Sequence, residues 1–131
     1  FLYASGPGFV SAAIMAVNNL RDRVPDSKRG KITLAVILGE RGGALLCCFF
    51  VVSSLLVPII AYYGDPHLQG NTALLLPLLA PLFFAKTWNI LLCHGFRGGS
   101  SAQQLNLVLA SLGVYLLIYV LLLSVVFIQR S

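Results

Sequence analysis

The sequence predicts an all-α protein, a polytopic bundle of transmembrane helices. Of its 131 residues, 58% are hydrophobic and only 10% are charged, and the mean hydropathy is strongly positive. A soluble chain of this length would have to bury that apolar surplus in one small core, whereas a bilayer accepts apolar runs of about 20 residues. The apolar residues are grouped in such runs, with short polar segments between them. We therefore predict an integral, multi-pass membrane protein in the lipid bilayer.

The apolar runs predict four spans, at about 2–20, 44–63, 72–88 and 105–128. The first run is interrupted by the Gly-Pro-Gly sequence at 6–8, so a regular helix is predicted only from Phe9 onward. The second ends in Tyr62 and Tyr63, an aromatic pair suited to the headgroup level. The third contains Pro77 and Pro81, which predict a kink. The last is the longest and has room to tilt.

The beginning of the chain indicates a part of a longer protein. It starts with Phe1 instead of methionine, and no cationic segment precedes the apolar run as a signal peptide requires. No long linker or internal repeat divides the sequence. We expect residues 1–131 to form part of one helical domain, with the start of the first span upstream.

Basic residues alternate with the spans and predict an orientation. Between the first two spans lies a charged loop, residues 18–41, while residues 64–71 contain no Lys or Arg. Short loops rich in Lys and Arg stay in the cytoplasm. We therefore predict that the charged loop and the loop after Trp88 are cytoplasmic and that the C-terminus is outside, with Arg130 as an exception.

Two carboxylates in the charged loop call for a separate explanation. Asn18, Asp22 and Asp26 follow one another at four-residue steps, so on a helix they would project from nearly one face. Two like charges at that spacing repel by ~0.2–0.5 kcal/mol on an exposed helix, and by more where water is scarce. A divalent cation would turn repulsion into ligation, and oxygen ligands suit Mg²⁺ bound to substrate phosphates. Neighbouring Arg and Lys side chains would bind the same phosphates. The alternative, a loop whose only role is to fix the orientation of the protein in the membrane, would explain the basic residues but not the two aspartates.

The wider string N-N-L-R-D-x-x-x-D-x-x-x-G-K-x-T-L-A-V-x-L-G, at residues 18–39, resembles the second aspartate-rich motif of the UbiA superfamily of intramembrane prenyltransferases. The paired asparagines, the R-D step and the G-K-x-T-L-A-V-x-L-G tail are most similar to the MenA group. Beyond Ala44 the resemblance is one of hydropathy pattern only.

The resemblance implies an enzyme that moves a polyprenyl chain from its diphosphate to an aromatic acceptor, which in the MenA group is 1,4-dihydroxy-2-naphthoate in menaquinone biosynthesis. Mg²⁺ would assist the loss of diphosphate. The fold implied is a larger bundle of roughly nine helices, of which this chain would be the C-terminal half. The missing N-terminal half would supply a first aspartate-rich motif, so the chain alone is expected to be inactive. The membrane would be a bacterial inner membrane or its organelle equivalent, and no nucleic-acid partner is expected.

The motif also implies roles for individual residues. Asp22 and Asp26 match its metal-binding, catalytic positions, and the residues expected to bind the diphosphate are Arg21, Lys31, Asn18 and Asn19. Pro25 departs from a continuous helical spacer, because proline costs ~3 kcal/mol inside a helix. We therefore expect Asp26 to lie on a loop or to start a new turn.

Other residues and functions are weaker candidates. Cys47, Cys48 and Cys93 lack C-x-x-C spacing and are expected to be packing residues. Asn106, near the start of the last span, is expected to make an interhelical hydrogen bond. One alternative function is a related enzyme with another aromatic acceptor, such as a ubiquinone-type prenyltransferase. Another is a noncatalytic transporter or channel subunit, although the spans contain almost no ionisable residues away from their ends.

Overall fold

The computed structural model describes residues 2–64, 72–79, 88–92 and 101–128. Its elements are helix α1 (Leu2–Arg21), helix α2 (Arg23–Lys28), helix α3 (Leu34–Gly64), a 3₁₀ helix (Thr72–Leu79) and helix α4 (Ala102–Ile128). Residues 88–92 form a further short helical segment, and these four described ranges contain no strand. The predicted all-α class is therefore confirmed for the described part of the chain.

Two helices in the described ranges, Leu34–Gly64 and Ala102–Val126, are long and apolar enough to cross a membrane. Only 39% of the most apolar stretch of α3 and 22% of that of α4 is buried inside the bundle. Large apolar side chains such as Phe49, Leu117 and Leu121 are instead exposed. A helix that is apolar on all sides is typical of a membrane span or of a fully buried core helix. Because most of each stretch is not buried in the chain, its outer face is available to lipid.

The remaining two predicted spans differ from this pattern. Helix α1 is not among the helices apolar enough to cross a membrane. Of the predicted third span, the structure describes the 3₁₀ helix Thr72–Leu79, with Pro77 buried inside it, and the helical residues 88–92. Pro81 lies outside the described residues, and so does Cys93.

Helix α1 runs without interruption through the Gly-Pro-Gly sequence, so the prediction that the helix begins only at Phe9 is wrong. Pro7 lies in the second turn, where its missing N–H removes one helical hydrogen bond, and the helix continues through it. Gly6 is buried against the ring of Tyr119 in α4, and a Cβ atom at this position would overlap that ring. Gly6 allows α1 and α4 to approach each other closely, and it does not break the helix.

The core lies where α1 packs between α3 and α4, with its most extensive contacts to α3. Its fully buried members come from all three helices and include Val10, Val17, Ala44, Cys47 and Val108. Gly43 of α3 lies against Leu20, since a Cβ atom there would come within 2.9 Å of Leu20 Cδ1. This close approach holds the last turn of α1, which carries the first residues of the charged loop, against α3.

Helix α3 begins at Leu34, well before the predicted start of the second span. Gly39 interrupts it with φ 71° and ψ −173°, a backbone conformation that glycine adopts at little cost. The interruption separates the short segment 34–38 from the long apolar part of the helix. It also places Glu40 beside α2, where its carboxylate lies 3.8 Å from Nη2 of Arg23.

A buried polar cluster joins α3 to α4 within the apolar core. Pro58 lacks an N–H, so the carbonyl of Ser54, four residues earlier, has no helical donor. The Tyr119 hydroxyl donates to that carbonyl at 3.1 Å. The Ser54 hydroxyl donates to the Val51 carbonyl at 2.7 Å and lies 3.2 Å from the Tyr115 hydroxyl. Tyr119 thus satisfies the acceptor that the proline leaves open.

We expect Tyr119→Phe to lower the free energy of unfolding by about 1–3 kcal/mol, the cost of a buried acceptor left without a donor. This exceeds the ~0.6 kcal/mol of an average hydrogen bond in a membrane protein, where alternative partners usually exist. Denaturant titration in detergent micelles measures the change. Tyr62→Phe is a suitable control, since Tyr62 lies at the end of α3 and is only half-buried; an equal loss in both variants would contradict the role of Tyr119.

Candidate functional site

The two aspartates of the charged loop lie at the junction between α1 and α2. The backbone N–H of Asp22 donates to the Asn18 carbonyl at 3.0 Å, and that of Asp26 donates to the Asp22 carbonyl at 2.8 Å. The helical spacing of these three residues is therefore present in the backbone. Pro25 lies in the first turn of α2, where a backbone N–H needs no helical partner. The junction at Asp22 thus accommodates the proline, and Asp26 lies in a new helix that starts at Arg23.

Asp22 forms a two-pronged ion pair with Arg21. Nε of Arg21 lies 2.8 Å from Oδ1, and Nη2 lies 2.8 Å from Oδ2. The hydrogen bonds from Arg21 lower the pKa of Asp22 from the usual 3.8; desolvation partly opposes them, and the positive charges of Lys31 and Arg29 assist. Asp22 is therefore ionised at neutral pH. Its side chain remains 43% exposed, so it is accessible from solvent.

Asp26 is much more buried than Asp22, with only 7% of its side chain exposed. Nζ of Lys31 donates to Oδ2 at 3.1 Å, and the backbone N–H of Lys31 donates to the Asp26 carbonyl at 2.9 Å. Gly30, with φ 74°, allows the chain to turn back between the two residues. Within the described ranges, Oδ1 of Asp26 has no hydrogen-bond partner.

Arg21 also connects the charged loop to α4. Its Nη1 donates to Oδ1 of Asn106 at 3.1 Å, a contact between residues 85 positions apart. The predicted interhelical hydrogen bond of Asn106 is therefore confirmed, but its partner was not predicted. Beside this contact lies a small cavity of about 70 Å³, lined by residues that include Arg23, Glu40 and Leu105.

The two asparagines of the motif lie in different surroundings. Asn18 is exposed, whereas Asn19 is half-buried and lines a groove of about 390 Å³ between α1 and α3. The other residues of this groove are apolar or small apart from Ser11, and Leu46 and Phe50 are among them. Neither asparagine makes a side-chain hydrogen bond to Asp22 or Asp26 in the described structure. The groove therefore presents an apolar surface that ends next to the polar loop.

The described residues supply only part of a metal site. They contain no group of three or more His, Cys, Asp or Glu side chains that could hold a metal ion. Among the described residues, the buried Asp26 carboxylate has no partner at Oδ1, and the Asp22 carboxylate is accessible. Such oxygens suit a hard cation, and Mg²⁺ usually completes its shell with waters and phosphate oxygens. Each carboxylate is at present neutralised by a cation of the same loop. These donors would suit Mg²⁺ only together with waters and with phosphate oxygens that accept hydrogen bonds from Arg21 and Lys31.

The chain is similar over part of its length to a known prenyltransferase. It is 44% identical over 50 residues to the 1,4-dihydroxy-2-naphthoate octaprenyltransferase of Haemophilus influenzae. The match covers 38% of this chain but 16% of that protein. No family model and no solved structure matches the chain. The partial similarity agrees with the resemblance of the charged loop and loosely supports a prenyltransferase-like relationship.

The Arg21–Asp22 ion pair leads to a prediction about the pKa of Asp22. Because the pKa of Asp22 is lowered in the folded protein, the pair stabilises the fold above the usual value of 3.8 and loses this effect as the pH falls through the lowered pKa. Arg21→Gln should therefore raise the pKa of Asp22 towards 3.8. NMR titration of ¹³C-labelled aspartate measures it, and the exposed Arg41→Gln serves as a control. A pKa of Asp22 that is the same in wild type and Arg21→Gln would contradict the pairing.

Proposed function

We propose that this chain forms part of an intramembrane aromatic prenyltransferase of the UbiA superfamily. The proposed reaction transfers a polyprenyl chain from its diphosphate to 1,4-dihydroxy-2-naphthoate. The observation that carries the proposal is the pairing of Asp22 with Arg21 and of Asp26 with Lys31, next to an apolar groove. The arrangement combines ligands for a metal, donors for phosphate and a surface for an isoprenoid chain. The partial similarity to a prenyltransferase supports it.

The proposed roles follow from the chemistry of each side chain. Asp22 and Asp26 hold Mg²⁺, which supplies positive charge to the departing diphosphate. Arg21 binds phosphate oxygens through its planar fork, and Lys31 does so as a mobile point charge. For both cations to reach the diphosphate, each must release or share its present carboxylate partner.

The groove between α1 and α3 is the proposed binding surface for the polyprenyl chain. It is largely apolar, and Asn19 lies among its lining residues. A polyprenyl chain could bury its apolar surface there while its diphosphate faces the charged loop. Apolar walls would also keep water away from the allylic carbon when diphosphate leaves.

The proposal includes a membrane arrangement and a larger protein. We propose that four spans place the charged loop on the cytoplasmic side. Residues 1–131 would form the C-terminal half of a bundle of roughly nine helices, and the N-terminal half would supply the first aspartate-rich motif. Binding both phosphates of a diphosphate normally requires more than one metal ion, and two carboxylates on one loop supply few ligands for that.

The test uses the full-length protein that contains this chain, purified in detergent with a labelled polyprenyl diphosphate and 1,4-dihydroxy-2-naphthoate. We expect prenylated product with Mg²⁺ and none after chelation. Lys31→Gln should weaken binding of the prenyl diphosphate about tenfold or more, because a hydrogen-bonded charge is lost, and should leave acceptor binding nearly unchanged. Arg41→Gln, an exposed cation in the same loop, is the matched control.

Three outcomes would contradict the proposal. The first is the absence of prenyl transfer with any aromatic acceptor. The second is transfer that persists without a divalent metal. The third is an equal loss of affinity in the Lys31 and Arg41 variants, which would favour a loop that only fixes membrane orientation. Transfer to a different aromatic acceptor would retain the enzyme class and correct the substrate.

A further inference from the structure

The guanidinium group of Arg21 is held on two sides, by Asp22 at the junction of α1 and α2 and by Asn106 of α4. Nε and Nη2 donate to Asp22, and Nη1 donates to Asn106. Arginine has five N–H donors in one plane. Contacts with the described residues engage three of them, which leaves two that can donate to another acceptor. These contacts therefore hold the guanidinium group in place without using all of its N–H donors.

The backbone of Asn106 is fixed by the start of α4, while its side chain is exposed. Ser101 and Gln104 form a reciprocal cap: the Ser101 backbone N–H donates to Oε1 of Gln104 at 3.2 Å, and the Gln104 backbone N–H donates to Oγ of Ser101 at 3.3 Å. Such a cap fixes the first turn of a helix. Leu105 and Val108, on either side of Asn106, are buried in the core. The position of Asn106 thus depends on the bundle and not on the charged loop.

We propose that Asn106 is a positioning residue that holds Arg21 ready for the diphosphate of the substrate; this inference rests on the proposed function. If Asp22 held a metal ion, its carboxylate would bind Arg21 less strongly, and the contact to α4 would keep the guanidinium group in place. An amide oxygen suits this task because it accepts a hydrogen bond without neutralising the charge of the arginine. A carboxylate at the same position would cancel the charge that attracts phosphate.

The test measures binding of inorganic diphosphate with Mg²⁺ to the full-length protein by calorimetry, together with the KM values for both substrates. Asn106→Ala should weaken diphosphate binding about tenfold, the effect of losing one hydrogen bond to a charged group, and raise the KM for prenyl diphosphate similarly. The KM for the aromatic acceptor should not change. Gln103→Ala, an exposed residue in the same turn of α4, is the control and should bind diphosphate as the wild type does.

A double-mutant cycle separates positioning from a merely structural role. If Asn106 acts through Arg21, Asn106→Ala should cause no further loss of diphosphate binding in an Arg21→Gln background. Equal losses in both backgrounds would overturn the inference. Normal diphosphate binding by Asn106→Ala, alongside weak binding by Arg21→Gln, would overturn this inference alone. Failure of the wild type to bind diphosphate would overturn the proposed function as well.

Discussion

Replacing Asp22 with Asn in the full-length protein is expected to reduce prenyl transfer at least about a hundredfold, the scale on which removing one charge-stabilising group acts in enzymes. The substitution keeps the size of the side chain but removes the charge that would bind Mg²⁺. It also leaves Arg21 without its carboxylate partner. Steady-state turnover measures the loss, and Mn²⁺ titration followed by electron paramagnetic resonance measures metal binding independently of activity.

Asp22→Asn should leave folding and membrane insertion intact, because the side chain is partly exposed and makes no hydrogen bond that caps α2. Glu40→Gln is the matched control, since Glu40 is another acid of the charged loop but lies beside Arg23. It should retain most of the activity. Near-normal turnover of Asp22→Asn, or unchanged Mn²⁺ affinity, would contradict the metal role of Asp22.

Gly6→Ala is expected to destabilise the bundle strongly. The added Cβ atom would overlap the ring of Tyr119, and overpacking of this kind costs about 1–3 kcal/mol. If Tyr119 moves away, the Ser54 carbonyl also loses its donor, which adds about 1–3 kcal/mol. The midpoint of denaturant unfolding in detergent micelles measures the combined effect.

Gly8→Ala in the same helix provides a close control for this prediction. Apart from the local helix backbone, no atom of the described residues lies within 4 Å of the position that a Cβ at Gly8 would take. Alanine is favoured over glycine in a helix by about 1 kcal/mol, so this variant should be as stable as the wild type or slightly more stable. Equal stability of the Gly6 and Gly8 variants would show that α1 and α4 do not pack through Gly6.

Hydropathy predicted the all-α class and located two helices that can cross a membrane, because the length of an apolar run reflects the thickness of the bilayer core. The prediction for the start of the chain was wrong, and it did not rest on hydropathy. The Gly-Pro-Gly sequence was interpreted as an interruption from its backbone preferences alone. In the structure, the contact with Tyr119 gives Gly6 a packing role, and α1 continues through Pro7.

At the candidate site, too, the sequence alone determined some features, and the tertiary structure decided others. The sequence by itself determined the one-turn spacing of Asn18, Asp22 and Asp26 and the presence of cations between them, since both are properties of neighbouring residues. The ion pairs of Arg21 and Lys31 are also local, within the same loop. Only the tertiary structure decided that Asn106 holds Arg21 and that Tyr119 donates to Ser54, which are contacts between residues 85 and 65 positions apart. Such contacts depend on how closely whole helices pack, and helix packing is set by side-chain shape across the bundle and not by the spacing of residues along one segment.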